Sequence, residues 1–330
     1  MERDQDPTRG AEARDVRRRE WERQRRTRRM VGAVTWLLVL GVAVGAFLLW
    51  PDGGSSPETP QAAVTTGTTT TTPGTTATTP APPKPARPAF VSLAFPPAPA
   101  NTSVRVPVLM FHRVASEATV TNAVSADLTI TPARFAAEMS WLARNGYHPI
   151  DQTTLFRGLY EGAPLPSKPV VLTFDDGYVD DVVAVAPILR RRHWPATLAV
   201  ISGRAGERAF LTWPQIVKLD RQGMDIASHS ADHVELAGAG TSALQRQLVD
   251  SRQAFAAHLG HPVYWFVYPA GSYDAAAEAA AREAGYLFAY TTDPGSTITA
   301  DRPMAEPRVR IHGGDSVESF AAAVTSASGG

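Results

Sequence analysis

Cysteine is absent from the 330 residues. No disulfide and no thiolate metal site can form, so any metal must be held by His, Asp or Glu. Lysine is nearly absent as well. Three lysines stand beside 29 arginines, which we read as the mark of a GC-rich genome rather than of a function. Net charge is missing, because 32 basic and 32 acidic side chains cancel. The balance is uneven along the chain. Residues 1–30 carry 11 Arg against 7 Asp and Glu, whereas residues from 101 onward carry 19 Lys and Arg against 23 Asp and Glu. A nucleic-acid-binding domain would be basic, so the composition argues against a nucleic-acid partner.

What is present first is an N-terminal sequence of three different compositions. Residues 1–30 are polar and Arg-rich and read as a cytoplasmic tail. Residues 31–50 are apolar for 20 residues, broken only by Thr35 and glycines. At 1.5 Å per residue such a run spans a bilayer core, and Trp36 and Trp50 lie where interfacial rings are favoured. The arginines precede the run, so the expected topology is a single-pass anchor with everything after it outside the cytoplasm, a cleaved signal peptide being the rival reading. Residues 51–100 contain 12 Thr, 12 Pro and four charged residues. This stretch cannot bury a core and is expected to be a disordered stalk reaching on the order of 100 Å.

From residue 101 to 330 the composition is globular. Strands are expected at Val104–Phe111, Val170–Phe174, Ala196–Ile201, Met224–Ala227, Val263–Tyr268, Leu287–Thr291 and Arg308–Ile311. Helices are expected between them, at 132–145, 182–192, 213–222, 243–259 and 275–284. Alternating strand and helix argues for a parallel α/β fold, as an open sheet or a barrel. Several strands end in groups capable of chemistry: Phe111 in His112, Phe174 in Asp175 and Asp176, Ala227 in Ser228 and His229, Ile311 in His312. In α/β barrels the C-terminal strand ends share one face, so residues far apart in sequence would meet there.

Two features stand out at these ends. Two adjacent carboxylates, Asp175 and Asp176, repel each other and call for a compensating charge, for which a metal ion is the usual candidate. His229 and His233, four apart, would face the same way on a helical turn and offer two nitrogens to one ion. One carboxylate would then complete a three-ligand site with a position left for water.

Together with Tyr268-Pro269-Ala270-Gly271, the motifs Thr173-Phe174-Asp175-Asp176-Gly177 and His229-Ser230-x-x-His233 resemble the polysaccharide deacetylases of the NodB-homology type, carbohydrate esterase family 4. The opening Val106-Pro107-Val108-Leu109-Met110-Phe111-His112 is similar to the subgroup that includes the poly-N-acetylglucosamine deacetylases. The resemblance covers roughly residues 104–324. It implies a distorted (β/α) barrel and hydrolysis of N-acetyl groups on an N-acetylated polysaccharide. It also implies a divalent metal, most often zinc, on Asp176, His229 and His233. Asp175 would be the general base, the Ala270 N–H would face the oxyanion, and Tyr268 and Pro269 would lie at the substrate.

The chain departs from the family at three points. Val267 stands where many members carry an arginine, and Arg308 or Arg310 is the candidate to replace that charge. No Asp-x-x-Trp-type fourth motif is visible. The Leu-x-His fifth motif is matched only by Arg310-Ile311-His312. For the general acid, His112 is the first candidate and His312 the second. The alternatives in function are an O-acetyl (xylan-type) esterase or an inactive glycan-binding module. Trp213 and Trp265 are expected to pack rather than to stack on sugars, and His148, His193, His258 and His261 are expected to be solvated.

Overall fold

The structure is a computed structural model that describes residues 92–96 and 99–329. The expected tail (1–30), anchor (31–50) and most of the linker (51–100) lie outside the described residues. Among the described residues no helix is long and apolar enough to cross a membrane.

Seven parallel strands close into a ring: β1 (Val108–Phe111), β2 (Pro169–Phe174), β3 (Thr197–Val200), β4 (Asp225–Ser228), β5 (Trp265–Val267), β6 (Phe288–Pro294) and β7 (Glu306–Arg310). Each strand pairs with the next in sequence, and β7 and β1 pair to close the ring. The fold is thus the barrel, not the open sheet. The main helices are α1 (Pro132–Arg144), α2 (Gln152–Tyr160), α3 (Trp213–Arg221), α4 (Ser251–Leu259), α5 (Ala275–Glu283) and α6 (Val317–Ser328).

The strands form because apolar residues run through them, and both of their faces are buried. Val170, Leu172 and Phe174 belong to the core between ring and helices. Val171 belongs with Val108, Ala199, Ala227, Trp265, Val267, Phe288 and Tyr290 to a second cluster inside the ring. Period-two alternation then puts Thr173 and Asp175 on the inner side of β2, and Glu306 and Arg308 on the inner side of β7. Helix α2 plugs the N-terminal end, with Phe156 close to Trp265 and Phe288. That leaves the C-terminal ends as the open mouth.

Several elements differ from expectation, each for a local reason. The stretch 104–111 is two strands, because Pro107 has no N–H to continue a ladder. Ser103–Arg105 pairs instead with Thr297–Thr299, antiparallel. The expected helix 182–192 begins as a π-turn, Asp181–Val185, with the Ala186 N–H reaching Asp181. Pro187 cannot donate to the turn before it, and the wider turn accommodates that loss. Packing begins before residue 101: Leu93 is buried, and the Phe95 ring centroid lies 5.0 Å from that of Tyr160. Helices α2 and α6 were not expected.

Candidate metal centre and active site

Strand β2 ends with the Asp175 N–H donating to the Phe111 carbonyl at 3.0 Å. Asp176 and Gly177 follow in the left-handed region, at φ 76° and 74°. Only glycine fits the second position, since a Cβ at Gly177 would lie 2.9 Å from Val200. This reversal sends the two neighbouring carboxylates in different directions. Asp175 points into the barrel and is 2 % exposed. Asp176 turns toward the histidines.

Asp175 is held by Arg308, which is itself 1 % exposed. The guanidinium donates from Nη1 to Oδ1 and from Nη2 to Oδ2, both at 2.8 Å. Its remaining donors reach the Thr291 carbonyl and Thr173 Oγ1. Burial alone would raise the Asp175 pKa. The Arg308 charge and its two hydrogen bonds, with smaller contributions from His229 and His112, hold it well below the usual carboxylate range. Of the two arginines considered for the missing charge, Arg308 therefore supplies it. Arg310 donates to Asp127 instead.

Asp176, His229 and His233 converge. Asp176 Oδ1 lies 3.6 Å from His229 Nε2 and 3.3 Å from His233 Nε2. All three potential ligand atoms lie within 4.8 Å of one another. Ligands on a tetrahedral ion with bonds of about 2.0–2.1 Å stand about 3.3–3.4 Å apart, and the two Asp176–histidine distances suit such an ion. His229 Nδ1 lies 2.8 Å from the Val267 carbonyl. Donation there leaves Nε2 with its lone pair toward the site. Burial lowers the His229 pKa and favours the neutral ring that a ligand must be. With oxygen and nitrogen donors and no thiolate, the residues present fit a divalent metal.

The histidine pair does not lie on a helical turn, as its spacing suggested. Ser230 and His233 both have positive φ, 68° and 57°. Residues 229–233 form an irregular turn in which Ser230 Oγ accepts the His233 N–H. It still brings the rings together, at 4.8 Å between centroids.

His112 sits beside the carboxylate pair, with Nε2 4.0 Å from Asp175 Oδ2. Burial lowers its pKa to about 4, despite the opposing Asp175 charge. His312 is exposed at the rim, with Nδ1 2.8 Å from Asp127 Oδ1. Ala270, at φ 53°, is exposed on the turn after Val267, whose carbonyl meets His229. Tyr268 and Pro269 correct the expectation of substrate contact, because both side chains are buried. Trp265 and Val267 face the lumen, so alternation turns Tyr268 outward onto Phe266 and Tyr273. Trp265 is core, as expected, and Trp213 stacks on His258. His261 is not simply solvated, since it meets Asp220 at 3.0 Å.

The motifs alone did not reveal four neighbours of the site, Arg113, Tyr178, Asp180 and Asp181. Arg113 donates to Asp180 and covers the Tyr178 ring. Burial, and next the Asp176 charge, push the Tyr178 hydroxyl up to about 12. Asp181 is fully buried, and neither carboxyl oxygen has a hydrogen-bond partner among the described residues. Burial first, then Asp180, Asp176 and Asp175, raise its pKa well above the ordinary value. The only cue in the sequence was a second Asp-Asp pair five residues after the first.

The profile of the family described as polysaccharide deacetylase matches residues 162–289. YxkH of Bacillus subtilis (strain 168), whose name places it among the polysaccharide deacetylases, is 30% identical over 222 residues, covering 67% of this chain and 77% of that protein. The poly-beta-1,6-N-acetyl-D-glucosamine N-deacetylase of Escherichia coli (strain K12) is 31% identical over 154 residues, 42% of this chain but 22% of that protein. Among solved structures, the Streptococcus pyogenes deacetylase PplD in complex with acetate superposes with a TM-score of 0.61 at 26% identity, covering 68% of this chain and 99% of that one. IcaB from Ammonifex degensii shares the fold, with a TM-score of 0.58 at 21% identity, covering 68% of this chain and 97% of that one.

Proposed function

The chain belongs to the polysaccharide deacetylase family, and from that premise we propose that it hydrolyses N-acetyl groups on a cell-surface or extracellular polysaccharide. The observation that carries this reading is the division of labour between Asp175 and Asp176. One carboxylate is locked by Arg308 beside the site, and the other faces two histidines. A glycan-binding module needs no such ionised base next to a metal position.

A divalent metal on Asp176, His229 and His233, with zinc the first choice, would activate water and polarise the acetyl carbonyl. The chain's own residues do the rest. Asp175 stays ionised across the working pH range and accepts the proton of the attacking water. Its depressed pKa makes it a poor place for that proton to stay. His112, neutral at rest and 4.0 Å away, can receive it and deliver it to the departing amine. The carbon–nitrogen bond breaks, acetate leaves and the sugar retains an amine. The Ala270 N–H is assigned to the developing oxyanion. His112 is preferred over His312 because it alone of the two lies beside Asp175. Among substrates, poly-N-acetylglucosamine comes first, from the similarity to the Escherichia coli enzyme, ahead of peptidoglycan and chitin-like oligomers. The apolar run 31–50 behind an Arg-rich segment supports a membrane-held enzyme acting outside the cytoplasm.

The test is acetate release by the full chain from these three polymers and from an O-acetylated xylan, with Asp175→Asn alongside. Release from an N-acetylated polymer is expected, lowered at least about a hundredfold in the variant, within the range general-base catalysis contributes. Equal release by the variant would remove Asp175 from the base role. Release from xylan alone would reassign the enzyme to O-acetyl esters.

A further inference from the structure

Asp176 has to adopt a left-handed backbone to face the histidines, and the glycine after it is left-handed as well. Such a conformation in a residue other than glycine is strained and persists only where its surroundings over-determine it. The constraint comes from the segment between β3 and α3. The Leu211 N–H donates to the Gly177 carbonyl and the Val179 N–H to the Ala209 carbonyl, both at 2.9 Å. These two bonds make Tyr178 and Phe210 an isolated antiparallel bridge on the chain that leaves Asp176.

The side chains of that bridge form the middle of a four-layer column. The Tyr178 and Phe210 rings stack with centroids 5.0 Å apart at 24°. Arg113 covers the free face of Tyr178 at 4.7 Å, and Arg204 covers that of Phe210 at 4.1 Å. Cation–π contacts at each end hold the rings from both sides. Arg113 is fixed in turn by Asp180, with Nε and Nη2 each 2.9 Å from Oδ2. It directly follows His112, so the column ties the strand end that carries the proton donor to the turn that carries the metal ligand.

We propose that Tyr178 and Phe210 are positioning residues for Asp176, and that their stacked column holds the left-handed turn in the one geometry that aims its carboxylate at His229 and His233. Neither residue belongs to the potential ligand set of Asp176, His229 and His233. The inference rests on the metal reading above, and it locates the support of the site on a loop that contributes no ligand. Without the stack the turn relaxes toward commoner backbone conformations, and the carboxylate swings away from the histidines.

The experiment measures zinc affinity of the full chain by competition with a chromophoric chelator, with circular dichroism of the metal-free forms to confirm folding. Phe210→Leu keeps apolar volume and removes the stack. Phe210→Tyr keeps the stack. Phe210→Leu is expected to bind zinc about 10- to 100-fold more weakly, the loss typical of partners just outside the ligand sphere. Phe210→Tyr is expected to bind like the parent. A Phe210→Leu chain that melts earlier yet binds zinc like the parent would make the column mere packing and overturn the proposal. A parent that takes up no zinc would overturn the metal reading, and this inference with it.

Discussion

The two ends of the barrel both bury carboxylates, and they treat them in opposite ways. At the mouth, Asp175 stays ionised because Arg308 is buried with it and meets both oxygens. At the floor, Asp225 begins β4 and accepts the Gln152 N–H at 2.8 Å, while Glu306 begins β7 and accepts the Thr299 N–H. Neither has a cation bonded to it among the described residues. Burial raises Asp225 to about 7 and Glu306 to about 8. Burial thus leaves a charged group at one end and carboxyls of raised pKa at the other, where Glu306 is buried and Asp225 half-buried. The difference is one guanidinium, that of Arg308.

The strongest way to break this contrast is to remove the guanidinium. Arg308→Met leaves Asp175 as a buried charge without a partner, a change that costs about 3–5 kcal/mol. The expected outcome is a correspondingly lower urea midpoint and an acid limb of the activity profile moved to higher pH, as Asp175 loses the charge that kept it ionised. An unchanged pH profile would mean that Arg308 does not set the state of Asp175.

The floor offers a second, smaller test, of opposite sign. Asp225 and Glu306 are neutral in the folded chain up to about 7 and 8. In the unfolded chain they ionise from about pH 4. Their folded pKa values are raised, so the stability they contribute is complete below pH 4 and is lost as pH rises toward 8. Asp175, with its lowered pKa, contributes stability present above pH 4 and lost in strong acid. Urea midpoints measured from pH 5 to pH 9 are expected to fall, and Asp225→Asn is expected to flatten the slope. A midpoint that rises over this range would contradict the neutral floor.

Asp181 gives the smallest effect, because it is a mouth residue treated as the floor residues are. Burial raises its pKa well above the ordinary value, so the ionisation that the unfolded chain gains above about pH 4 disfavours folding at neutral pH. Asp181→Asn, neutral and of the same shape, is expected to raise Tm at pH 7 by about 2–4 °C, the shift that about 1 kcal/mol produces in a domain of this size. At pH 4 the two chains are expected to melt nearly together. A lower Tm at pH 7 would show that the carboxyl itself is required.

Much of the fold was legible, because the runs at Val170–Phe174 and at the other barrel strands can only be buried on both faces. The cluster of Asp176, His229 and His233 was legible from residue type and spacing near strand ends. Arg308 could not be separated from Arg310 in the sequence, since strand alternation puts positions 308 and 310 on one face. Only depth distinguishes them: Arg308 meets Asp175 inside the ring, and Arg310 meets Asp127 at the rim. Tyr268 was misread although the cue was there, because a residue following lumen-facing Val267 must face the helices. The Arg113–Tyr178–Phe210–Arg204 column left no trace in local pattern, as its members come from three separate stretches of chain.

By itself the sequence determined which groups were available: no thiolate, two adjacent carboxylates after an apolar strand, two histidines four apart, and a parallel α/β alternation to carry them. These follow from side-chain chemistry and from the period of the strands, both local properties. Only the tertiary structure decided what surrounds each carboxylate. Closing the ring brings Arg308 from 133 residues away onto Asp175, and a clamped left-handed turn directs Asp176 to the histidines. The charge state of a buried group depends on what is buried with it, and the spacing of neighbours along a chain does not encode that.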